Sequence, residues 1–184
     1  IGMGIAPQSI TDIIGVVKAY KTRVGEGPLP TELDDPIGKR IAERGHEFGT
    51  TTGRPRRCGW LDLVVVKHSC RLSGVTQLAI TKLDVLDSLP EIKMTDAYQE
   101  PNGEIMDHVK WLRAEYLDTL KPIYETYPGW QEDTTSCRRW DDLPKEAQNY
   151  LLGIRNQTGL IIPFVTVGAE RTQTVQIPLE VFSG

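Results

Sequence analysis

Three threonines between two glycines, with three arginines close behind, make Gly49-Thr50-Thr51-Thr52-Gly53-Arg54-Pro55-Arg56-Arg57 the stretch of this chain best equipped for chemistry. Glycine accepts positive φ and lets backbone approach a ligand closely. Threonine hydroxyls and free amides donate hydrogen bonds. Arginine presents a planar fork that matches carboxylate or phosphate oxygens two at a time. Thr50, Thr51, Thr52, Gly53, Arg54, Pro55 and Arg56 therefore form a candidate site for a small anion bearing a carboxylate or phosphate. The plain alternative is a solvated basic turn. The loop stands out because the chain as a whole is acidic, with a formal net charge of −4.

A second signal is Thr81-Lys82-Leu83-Asp84, directly after the apolar run Val75–Ile80. It resembles the Asn-Lys-x-Asp motif with which GTP-binding proteins read guanine, with Thr in place of Asn. A carboxylate accepts from the ring N–H and exocyclic amine of guanine, a pair that adenine does not offer, and an unpaired buried carboxylate rejects the wrong base. The Lys82 stem can lie along a base while its ammonium stays wet. The alternative for Asp84 is a cap on the next short helix. Thr166-Val167-Gly168 closes another apolar run, where glycine lets backbone lie against a planar base or simply turns the chain.

Bulk properties narrow the classes. The 184 residues, 39% hydrophobic and 25% charged, suffice for a globular core. A negative net charge argues against nucleic-acid or membrane-surface binding by bulk electrostatics. No apolar run approaches the length of a membrane span, and no signal peptide is evident at the start. Cys58, Cys70 and Cys137 are odd in number and lack CxxC spacing, which favours reduced cytosolic thiols over disulfides or a zinc site. There is no GxxxxGK[ST] phosphate loop. His46, His68 and His108 show no catalytic partner at recognisable spacing, so no catalytic residue and no metal ligand is assigned.

The elements that must position these motifs alternate. Helices are expected over 10–20 (stripe Ile10, Ile13, Ile14, Val17, Tyr20), 36–44, 60–72, 108–121 and from Leu143-Pro144 to about 156. Strands are expected over Val75–Ile80, Glu91–Gln99 and Leu160–Val167, with an extended segment at 172–178. Paired Gly and Pro argue against regular structure from Lys21 to Glu32, and 127–142 reads as a wet segment. This order predicts an α/β fold with a largely parallel sheet and flanking helices, ligands collecting at the carboxyl ends of its strands.

Taken together, three long blocks resemble adenylosuccinate synthetase: Gly15–Leu33 (GVVKAYKTRVGEGPLPTEL), Gly49–Asp62 (GTTTGRPRRCGWLD) and Thr81–Asp87 (TKLDVLD). Val167–Thr172 is similar to that family's closing motif. Leu29 stands where the family usually has Phe, and Pro55 is a common variant. The resemblance implies a P-loop-NTPase-like fold, present here in part. Residues 1–184 are expected to be a C-terminal portion of such an enzyme with no separate second domain. The phosphate loop, catalytic Asp and His, magnesium ligands and most IMP contacts are expected in an N-terminal half that this sequence does not contain.

The activity implied is GTP- and Mg2+-dependent joining of IMP and L-aspartate to adenylosuccinate, in a cytoplasmic homodimer with no nucleic-acid or membrane partner. GTP phosphorylates the 6-oxygen of IMP, and the aspartate amine displaces the phosphate. By resemblance, Thr51 and Thr52 hold the aspartate carboxylates, Arg54 and Arg56 clamp them, Arg54 lies near IMP and Arg56 near the GTP phosphates. Lys82, Leu83, Asp84, Thr166, Val167 and Gly168 hold guanine, and Arg23 supports the aspartate loop. Two other readings stand beside this one. An inactive half-chain could serve as a nucleotide- or partner-binding module. Gly53-Arg54-Pro55-Arg56 also resembles an AT-hook core, although Thr precedes it and the surroundings are acidic.

Overall fold

The structure is a computed structural model and describes residues 4, 6, 9–49, 53–108, 110 and 113–182. In chain order its elements are β1 (Ile14–Lys18), β2 (Lys21–Arg23), α1 (Pro36–Arg44), β3 (Arg57–Gly59), β4 (Leu61–Asp62), α2 (Leu63–Ser73), β5 (Gln77–Thr81), β6 (Glu91–Gln99), β7 (Ile105–Met106), α3 (Ala114–Leu117), β8 (Lys121–Pro128), α4 (Lys145–Thr158), β9 (Ile161–Thr166) and β10 (Thr174–Gln176).

The main sheet runs β1-β5-β9-β10. β1, β5 and β9 are parallel, and β10 returns antiparallel along the edge. Register sets the functional rim. Lys18 lies beside Thr81, and Ala19 N–H donates to Thr81 O at 2.8 Å. The Lys82 amide donates to Thr166 Oγ1 at 3.1 Å. The carboxyl ends of all three parallel strands therefore coincide, where α/β sheets gather ligands.

A second sheet is centred on β6, paired parallel by β4 and antiparallel by β7 and β8. The parallel character expected from the sequence thus holds for the main sheet, while the second sheet is mostly antiparallel. One contiguous core draws on both sheets, with Leu78, Ile80 and Val165 packed in the same cluster as Leu61, Ile92 and Met94.

Local signals explain several elements. Asp35 caps α1 by accepting from Gly38 N–H at 2.9 Å, with Pro36 at the first turn. Asp62 caps α2 through Val65 N–H, and Gly74 ends that helix at φ 64°. The helix expected over 10–20 is instead β1 across Ile14–Lys18. Its apolar spacing mimics a helical stripe, but the β-branched Ile14, Val16 and Val17 suit a strand, and pairing with β5 decides. Lys21–Arg23 forms β2 within the span read as irregular. The helix expected over 108–121 reduces to α3, with Val109 and Leu112 outside the described residues. Its last residue, Lys121, begins β8, which two prolines disguise in the sequence. The segment read as wet buries Trp130 and Trp140. Asp87 accepts from the Trp130 indole at 2.6 Å, which satisfies the polar end of that ring.

Candidate functional site

A buried carboxylate organises the rim. Glu47, 0% exposed, follows α1 and precedes the arginine loop. Its Oε1 accepts from Lys18 Nζ at 2.7 Å, Tyr20 OH at 2.6 Å and Lys82 Nζ at 2.9 Å. Its Oε2 accepts from Arg56 Nη1 at 2.9 Å. Lys82 Nζ also donates to Gly45 O at 2.5 Å, and the missing side chain of Gly45 leaves room for the Tyr20 hydroxyl. A buried charge is tolerated only when paired and hydrogen-bonded, and here four donors meet that condition. Glu47 lies in none of the sequence blocks, and although Lys18 and Tyr20 fall within Gly15–Leu33, reasoning from motifs assigns no site role to any of the three.

Burial pushes the Glu47 carboxyl up, but hydrogen bonds from Lys18, Tyr20 and Lys82 outweigh it and hold its pKa at about 2. A carboxyl depressed on folding stabilises the fold above its unfolded value of about 4.3 and loses that contribution as pH falls toward 2, here about 3 kcal/mol in all. The stability gap between the native protein and Glu47→Gln is therefore expected to shrink by roughly half between pH 6 and pH 3. Urea unfolding at the two pH values measures it, and a pH-independent gap contradicts the depressed carboxyl.

The Thr81–Asp84 turn begins with Lys82 in the left-handed region, φ 61°. Asp84 and Asp87, the two acids of the Thr81–Asp87 block, have different situations. Asp87, at the far end, accepts from Trp130 Nε1, from Thr134 N–H at 3.1 Å and from Thr134 Oγ1 at 3.0 Å, which makes it a structural fastener. Asp84 has a buried Oδ1 with no hydrogen-bond partner. Burial raises the Asp84 carboxyl above its ordinary value, and neighbouring Asp87 adds to the shift. Buried polar atoms are nearly always satisfied, so an orphan acceptor on a strand-end turn calls for a donor from outside the chain. Arg44 supports the turn by donating to the Asp84 and Asp87 carbonyls at 2.9 and 3.0 Å.

The side chains of Leu83 and Val167 are fully buried in the core, so these two positions offer only backbone to a ligand. Thr166 Oγ1 is engaged by the Lys82 amide. At Gly168 the absent side chain makes room for the Gln173 amide, a packing reason for that glycine.

The arginine loop has a closed stem. Gly49 N–H donates to Arg54 O at 2.8 Å, Gly53 N–H to Gly49 O at 2.8 Å, and Phe48 bridges to Pro55. Gly53 turns the chain at φ 63°. Thr50, Thr51 and Thr52 lie outside the described residues. Arg54 is exposed on the stem, while Arg56 points back to Glu47 and leaves its buried Nε without a partner. Arg57 is structural. It grips both oxygens of Glu32 and donates to Gly25 O and Gly27 O at 3.1 and 2.6 Å. Arg23 stands opposite Arg57 in the β2–β3 pair, and its guanidinium lies over Gly27, where a side chain would collide.

Arg56 and Lys82, from the two sequence motifs, thus meet on one carboxylate. One concavity of about 380 Å³ lies between β1 and α2 and is bordered by Lys18, Tyr20, Lys21, Ser69 and Cys70, and another of about 470 Å³ lies beside Arg71 and Leu160. His46 is exposed, and both ring nitrogens of His68 are buried without partners. Among the described residues no group of three or more His, Cys, Asp or Glu gathers to hold a metal, and no helix is long and apolar enough to cross a membrane.

Parallel strands that end on an unpartnered acid beside an arginine loop have the architecture of a ligand-binding α/β protein. The family model of adenylosuccinate synthetase matches residues 1–175. The adenylosuccinate synthetase of Thermosynechococcus vestitus is 53% identical over 175 residues, 95% of this chain and 39% of that protein. That of Heliobacterium modesticaldum is 49% identical over 177 residues, 96% of this chain and 41% of that protein. A solved structure, described as fully ligated adenylosuccinate synthetase from Plasmodium falciparum, superposes with a TM-score of 0.91 at 37% identity, covering 95% of this chain and 42% of that one. The chain belongs to the adenylosuccinate synthetase family and spans about 40% of the length of the relatives it matches.

Proposed function

We propose that this chain supplies the guanine-reading and aspartate-capturing portion of a ligase that joins IMP to L-aspartate at the expense of GTP. The observation that carries the reading is the orphaned Oδ1 of Asp84, set at the rim where Lys82 and Arg56 converge. Asp84 accepts the paired N–H donors of guanine, and Lys82 flanks the base with the backbone of Leu83. Thr166, Val167 and Gly168 border it from the neighbouring strand end. Arg54 and Arg56, with the hydroxyls of Thr50, Thr51 and Thr52, receive the aspartate carboxylates. Arg56 also offsets charge developing on transferred phosphate.

Phosphorylation of the 6-oxygen of IMP makes it a leaving group that the aspartate amine displaces. Held by its carboxylates, aspartate presents that amine to the activated carbon rather than diffusing to it. The described residues gather no group of three or more His, Cys, Asp or Glu, and magnesium ligands are expected in the part of the family that this chain does not span. Magnesium dependence, a homodimer, a cytoplasmic setting and a single structural unit over residues 1–184 complete the proposal.

The intact polypeptide carrying this sequence, supplied with IMP, L-aspartate, GTP and magnesium, is expected to form adenylosuccinate, with ATP unable to replace GTP. Chromatographic separation of the nucleotides measures both. Absence of product, or equal rates with ATP, overturns the reading.

A further inference from the structure

Glu47 lies outside both motifs, yet both depend on it. Its two oxygens divide the work, Oε1 taking Lys82 from the turn after β5 and Oε2 taking Arg56 from the foot of the arginine loop. Its own backbone is pinned on both sides, with its N–H donating to Ala42 O and its O accepting from the Arg56 amide, each at 2.8 Å. Lys18 and Tyr20 hold Oε1 from a third direction. The carboxylate therefore cannot follow Lys82 without pulling on Arg56.

Two orphaned atoms flank this hub, and they are opposite in kind. Asp84 Oδ1 is an acceptor awaiting a donor, and Arg56 Nε is a donor awaiting an acceptor. A ligand with paired N–H groups satisfies the first, and an anionic ligand satisfies the second. Three cationic side chains, each about a quarter to a third exposed, surround one fully buried anion, so the cluster presents excess positive charge toward the rim.

We propose that Glu47 is a positioning residue that couples the two subsites, so that a guanine nucleotide on the Asp84 turn raises affinity for L-aspartate at the arginine loop, and the reverse by the same factor. The proposal rests on the guanine and aspartate reading above and adds to it a shared mechanical element. Filling the Asp84 turn fixes the Lys82 backbone, which is already tied to Thr166. A fixed Lys82 fixes the carboxylate, and a fixed carboxylate holds the Arg56 guanidinium in its receiving orientation, so the second ligand meets less ordering cost.

The test measures the Kd of GDP on the intact polypeptide with and without saturating L-aspartate, IMP present throughout, so that no turnover intervenes. The native protein is expected to bind GDP about tenfold more tightly when aspartate is present, within the usual range of coupling between sites. Glu47→Gln replaces one acceptor oxygen with an N–H donor facing a cation, and it is expected to bring the ratio below about twofold. A purely structural role would weaken both ligands and leave the ratio intact. Lys82→Met cuts one arm and leaves the carboxylate its other three partners, so it reports even where Glu47→Gln folds poorly, and it is expected to lose the ratio as well. Tyr20→Phe removes a donor that belongs to neither motif and is expected to keep it. A native ratio of unity, or a native-like ratio in Lys82→Met or in folded Glu47→Gln, overturns the coupling. A native protein with no affinity for GDP instead sinks the guanine reading on which the coupling rests.

Discussion

Asp84→Asn is expected to lower kcat/KM for GTP by about a hundredfold or more, the cost of roughly 3 kcal/mol that follows from turning a charged acceptor into an amide against two N–H donors. The substitution keeps volume and shape, so the turn should survive: Lys82 stays on Thr166, and Arg44 still grips the Asp84 carbonyl rather than its side chain. Because the amide can donate where the carboxylate accepted, the variant should favour a purine with a carbonyl at position 2 over guanine. Steady-state rates with GTP and xanthosine triphosphate measure the exchange. Unchanged GTP dependence would remove Asp84 from the base site. Asp87→Asn is the informative contrast. That residue is engaged by Trp130 and Thr134, so its loss should register as lowered stability with base preference intact.

Arg54→Leu is expected to reduce kcat/KM for L-aspartate by about a hundredfold, the cost of roughly 3 kcal/mol for losing one charge-assisted hydrogen-bonding partner of a carboxylate. The reduction should come chiefly through a higher KM for aspartate. Arg54 is exposed on the loop stem, where its backbone O accepts from Gly49, so the stem should persist and stability should change little. Kinetics paired with thermal unfolding separate the two effects. Normal aspartate kinetics in a folded variant would take Arg54 out of the active site. Arg57→Leu is expected to behave in the opposite way. Its guanidinium is spent on Glu32 and the Gly25 and Gly27 carbonyls, so its removal should loosen the β2–β3 region first.

Three neighbouring arginines therefore do three different jobs, a division that their spacing does not reveal. From sequence they read as one basic loop. In the fold Arg57 sits in a strand opposite Arg23, Arg56 turns inward to a buried acid and Arg54 stays outside. The two acids of the Thr81–Asp87 block divide likewise: both are near a strand end, but only Asp84 keeps an unpartnered buried oxygen.

What the sequence by itself determined were features written in short windows. The short helix expected over 36–44 is α1 at those bounds, and the alternation of Glu91–Gln99 delimits β6. The hydroxyl-and-arginine run and the acid after β5 were visible as candidate chemistry for the same reason, since residue type and spacing alone carry hydrogen-bonding capacity. Only the tertiary structure decided features that depend on partners far along the chain. The apolar spacing of 10–20 served a helix or a strand equally, until β5, more than sixty residues away, paired with Ile14–Lys18. Glu47 gathers donors 29, 27, 35 and 9 residues distant, and a carboxylate's worth in a fold comes from the groups that desolvate and bind it, which no local pattern encodes.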